Sequence, residues 1–79
     1  MKFTREDYNR RIVDKDERIP KDEPVFLLRA QDKHAPSTLR FYARLLAESG
    51  NMEMAKELKK HAKDMLIWQK SKKVKEPDK

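Results

Sequence analysis

LRFYARLLAESGNMEMAKELKKHA, residues 39–62, contains the single glycine of the chain and decides how its second half folds. At about 100° per residue, Leu39, Tyr42, Leu45 and Leu46 fall on one helical face about 120° wide, with Arg40 and Arg44 together on the opposite side. Pro36 suits a first helical position, and Gly50 at the end of the pattern suits the left-handed residue that closes a helix. Asn51 then reads as the N-cap of a second helix from Met52 to about Lys70. Its wide face gathers Met54, Ala55, Leu58, His61, Ala62, Met65, Leu66 and Trp68, while Lys56, Lys59, Lys60 and Lys63 fall outside or at the margins. Two amphipathic helices joined by so short a turn predict an antiparallel αα-hairpin over residues 36–70, with Tyr42 and Trp68 in its core. Ile67 breaks the pattern by projecting among the lysines, where another subunit could contact it.

Upstream, residues 22–36 read DEPVFLLRAQDKHAP. Val25–Leu28 is a short apolar run bounded by Pro24, which fits a short buried strand or one helical turn; its pattern does not separate the two. A strand needs a partner, either Arg11–Val13 or the same segment of a second copy. The expected fold is therefore mainly α, becoming α+β if this segment pairs. In residues 1–21 the apolar positions are scattered; Thr4, Glu6 and Asp7 fit the start of a short helix, and Arg11–Val13 a short strand. Residues 14–21, DKDERIPK, read as an exposed connection. Residues 1–70 form one expected domain, and residues 71–79 a disordered basic tail.

A chain of 79 residues buries only about 60–65% of its unfolded surface, and 43% of these residues are charged. Without cysteine there are no disulfides or thiolate ligands to add stability, so association of several copies is the expected source of further burial. No run of about 18 apolar residues crosses a membrane, and the N-terminus has no apolar leader segment, which points to the cytoplasm. The net charge of +6 is uneven: residues 1–24 balance seven basic against seven acidic side chains, and all the excess lies downstream. That bias favours anionic partners.

Enzyme signatures are missing. One glycine excludes a phosphate-cradling glycine loop, and His34 and His61 stand too far apart in sequence for a paired metal site. No catalytic residue, metal or cofactor is expected. The cluster after the apolar run is more suggestive. Asp32 is explained as a turn residue, but Arg29, Gln31, Lys33 and His34 converge on a helix N-terminus that also offers Ser37 and Thr38. Free backbone N–H groups with such side chains fit an anion or phosphate corner, to which Arg40 or Arg44 of a neighbouring copy could add. Nucleic acid is the competing ligand through the lysine-rich second helix, although Glu53, Glu57 and Asp64 interrupt that face.

PKDEPVFLLRAQDKHAP (20–36), LRFYARL (39–45) and HAKDMLIW (61–68) together resemble small uncharacterised proteins of bacteriophages and prophages. The resemblance implies a phage or mobile-element origin and no catalytic residues; residues 1–19 and the tail lie outside it. Compact phage proteins of this size commonly act by binding, and some are oligomeric sponges for the nucleotide signals of bacterial immunity. The expected function is such a sponge, with Arg29, Gln31, Asp32, Lys33, His34, Ser37, Arg40 and Arg44 as ligand-binding residues. The alternatives are an inhibitor of a host protein and a basic nucleic-acid-binding accessory protein.

Overall fold

In the computed structural model, which describes residues 1–72, the order is β1 (Lys2–Phe3), α1 (Glu6–Arg11), β2 (Pro24–Val25), α2 (Ala35–Glu48) and α3 (Met52–Ser71). The fold is mainly α with one short strand pair, and α2 and α3 form the expected helical hairpin. The expected disordered tail lies largely outside the described residues.

The turn between the helices arises from its two special residues. Gly50 has φ 94°, the left-handed conformation that costs glycine least. Its N–H donates to the Ala47 carbonyl at 3.1 Å, and the Asn51 N–H donates to Leu46 at 2.8 Å. These two bonds are the Schellman closure of α2. Asn51 at once caps α3, its Oδ1 accepting the Met54 N–H at 3.3 Å.

Between the helices the core is built from small residues. Ala35, Pro36, Ala43, Ala55, Ala62 and Met65 are buried, with Leu39, Leu46, Leu58 and Leu66 half-buried beside them. This corrects the expected core. Tyr42, Leu45, Met54 and Trp68 are 40–47% exposed, and His61 is also exposed. Alanines let the two backbones approach closely, so the inward direction turns toward Ala43 and Ala62 and the bulky side chains are left to one side. Ile67 is 57% exposed, as its position among the lysines implied.

The Val25–Leu28 segment also departs from expectation. Within the chain only Pro24 and Val25 pair, in parallel, with Lys2 and Phe3 and not with Arg11–Val13. The Lys2 N–H donates to Glu23 at 2.8 Å, and the Met1 amine donates to the Pro20 carbonyl. Two residues make too short a strand to bury the next side chains of the run, and Phe26 and Leu27 are 68% and 40% exposed. Helix α1 carries Glu6 and Asp7 in its first turn and Arg10 and Arg11 in its last, matching its dipole at both ends. The connection after it is tied by Asp14, whose Oδ2 accepts the Ile19 N–H at 2.7 Å.

Among the described residues neither α1 nor either strand packs on α2 or α3. Gln69 of α3 ties the connecting segment to the hairpin, its side-chain amide donating to the carbonyls of Ala30 and Asp32, both at 2.9 Å. This amide holds the segment after the apolar run against the open end of the hairpin.

Candidate functional site

Tyr8 is the one buried residue of α1 and the centre of a cationic cluster. Arg11 stands three residues after Tyr8 on the same helical face, and Arg5, the extended residue before α1, comes to the ring from the other end. The Arg5 guanidinium lies 4.3 Å from the ring centroid and that of Arg11 6.0 Å. Phe3 meets the same ring edge-on, at 5.9 Å between centroids. Arg5 also donates to the phenol oxygen at 3.1 Å, and Arg29 reaches it from the connecting segment at 3.4 Å.

Asp7 is the carboxylate engaged with this cluster. It accepts two bonds from Arg5, at 3.0 and 2.8 Å, and one from Arg11 at 3.2 Å. Desolvation pushes its carboxyl upward, but the hydrogen bonds from Arg5 and Arg11 outweigh this and hold it below the ordinary value of 3.8. Three guanidinium groups therefore gather around one phenol, with Asp7 between Arg5 and Arg11, and among the described residues Arg29 pairs with no carboxylate.

Beside the phenol is an open hollow of about 220 Å³, lined by Tyr8, Arg11, Ile12, Leu27 and Arg29. Its walls combine two guanidinium groups with two aliphatic side chains. The volume falls below the roughly 300–1,000 Å³ of drug-sized ligand pockets.

Of the residues singled out from sequence, Arg29 alone lines this hollow. Asp32 closes a turn, its Oδ1 accepting the His34 N–H at 2.8 Å. Gln31 is half-buried, and Lys33, His34, Ser37 and Arg40 are exposed. Arg44 lies 5.3 Å over the Phe41 ring and 3.8 Å from Glu48. The N-terminus of α2 has few donors to give. The Ala35 N–H donates to Asp32, Pro36 has none, and the Thr38 N–H and Oγ1 both donate to the His34 carbonyl. Ala35 and Pro36 are buried as well, whereas Ser37 and Thr38 beside them are exposed. The residues missed from sequence are Arg5, Tyr8 and Arg11. Their signal was present as an aromatic flanked three residues away on each side by arginine.

Among the described residues no group of three His, Cys, Asp or Glu side chains is placed to hold a metal ion, and no helix is long and apolar enough to cross a membrane. No family model, curated protein sequence or solved structure matches the chain.

Proposed function

We propose that this chain is a non-enzymatic binding protein that captures a small phosphate-bearing molecule at Arg11 and Arg29. The observation that carries the reading is the approach of Arg29 to the Tyr8 hydroxyl across an open hollow edged by Arg11, with no carboxylate on Arg29 among the described residues. Guanidinium groups suit phosphate because their N–H groups form charge-assisted, often paired hydrogen bonds. Ile12 and Leu27 offer apolar contact to a sugar or base edge beside the phosphate. The resemblance of residues 20–68 to phage proteins directs the choice of ligand to the nucleotide signals of bacterial immunity, and the action to sequestration.

Calorimetry against cyclic dinucleotides, cyclic trinucleotides and cyclic ADP-ribose isomers tests this. At least one member binds the native chain. Arg29→Ala weakens that binding roughly tenfold or more, as expected for loss of a charged hydrogen bond worth about 1.5–3 kcal/mol. Arg40→Ala, outside the hollow, leaves it unchanged. A folded protein that binds no member of the panel, or binds equally well without Arg29, rejects the reading.

A further inference from the structure

The hairpin leaves one broad side uncovered. On α2 the buried and half-buried positions centre near Leu39 and Ala43, and Tyr42 and Leu45 lie roughly 80° and 140° round the helix from that direction. On α3 they centre near Ala62 and Gln69, and Met54, His61 and Trp68 lie roughly 70–110° round in the same rotational sense. In an antiparallel pair, the same sense on each helix brings both stripes to one side. Phe41 lies about 180° from the buried direction, on the outer face of α2 under the Arg44 guanidinium, and is not part of that side. The opposite rotational sense carries Arg40 and Arg44 on α2 and Lys56, Lys59 and Lys63 on α3, all exposed. One side of the hairpin thus carries aromatic and aliphatic side chains without lysine or arginine, and the other carries the basic ones together with Met52 and Ile67.

Tyr42 is 47% exposed, Leu45 44%, Met54 41% and Trp68 40%. Taking ~200 Å² for a whole large side chain, these four present about 340 Å². No described segment packs on this side through α1 or the strands.

We propose that a second copy of this chain covers it, the two apolar sides meeting about a two-fold axis to give a four-helix arrangement. Charge favours this occupant, and the four side chains make up about three quarters of the roughly 450 Å² of apolar surface that a stable interface takes from each partner. The apolar stripes carry no lysine or arginine, so identical surfaces meet there without opposing cations. The basic side cannot pair with itself in this way. The association is independent of the anion hollow, whose lining residues all lie outside the hairpin.

Sedimentation of the full chain from low micromolar to near-millimolar concentration tests the proposal. The expected result is a rise from 9.5 kDa to twice that mass. Trp68 is the only tryptophan, so its emission moves to shorter wavelength over the same range. Leu45→Glu abolishes both changes with helical circular dichroism retained, and Tyr42→Asp provides a second variant should Leu45→Glu fail to fold. Lys59→Glu, on the basic side, leaves association intact. A native chain that stays at 9.5 kDa with unshifted Trp68 emission overturns the proposal. Association that survives a folded Leu45→Glu or Tyr42→Asp variant overturns it too, including association through the basic side.

Discussion

Tyr8 shows how one residue can organise charge that would otherwise repel. Its ring and hydroxyl receive Arg5, Arg11 and Arg29, and Asp7 offsets part of their mutual repulsion. Because Asp7 titrates below its ordinary value, it binds fewer protons in the folded chain than in the unfolded one at acid pH. Its contribution is therefore present above the unfolded value, near 3.8, and is lost as pH falls below that toward the depressed folded value. Hydrogen exchange of the α1 amides should show protection that holds on acidification to about pH 4 and then declines. In Asp7→Asn that particular decline is absent, and α1 is already less protected at neutral pH. The charge cluster was legible in part: acidic residues starting a helix at Glu6 can be read from sequence, whereas the Arg29 contact spans 21 positions and is invisible to local spacing.

At the scale of elements, the decisive feature is that alanine and not leucine sets the α2–α3 contact. Ala43 is fully buried, with no exposed surface. Ala43→Leu must push the helices apart or strain their rotamers, at a cost of about 1–3 kcal/mol. For a domain of this size that lowers the melting temperature by on the order of 10 °C, measured by loss of helical circular dichroism. The hairpin itself was readable because Gly50 and Asn51 each answer a local backbone need, a left-handed closure and an N-cap. Which apolar residues point inward was not. Tyr42 and Ala43 are adjacent on the helix surface, and the choice between them depends on how closely the partner helix approaches.

For the whole molecule, the chain divides into an N-terminal unit around Tyr8 and a hairpin, with the Gln69 amide bridging them through Ala30 and Asp32. The radius of gyration is 14.3 Å, above the ~11.6 Å of a compact chain of this length, in keeping with the 20-residue α3. Gln69→Leu keeps the size of the side chain and removes both donors. The expected outcome is faster amide exchange across residues 29–34, by roughly five- to tenfold for about 1 kcal/mol of lost hydrogen bonding, with the α2–α3 contact region unchanged. Sequence alone determined the hairpin, its turn and caps, the short helix at Glu6 and the turn at Asp32. Each of these is fixed within a few residues by backbone hydrogen bonding, helical period or dipole. Tertiary structure alone decided that Lys2–Phe3 pairs with Pro24–Val25, that Arg29 joins Tyr8 and not the start of α2, and that Tyr42, Leu45 and Trp68 face outward. The physical reason is common to all three. Each depends on which distant surfaces approach one another and how closely, and no local periodicity encodes that distance.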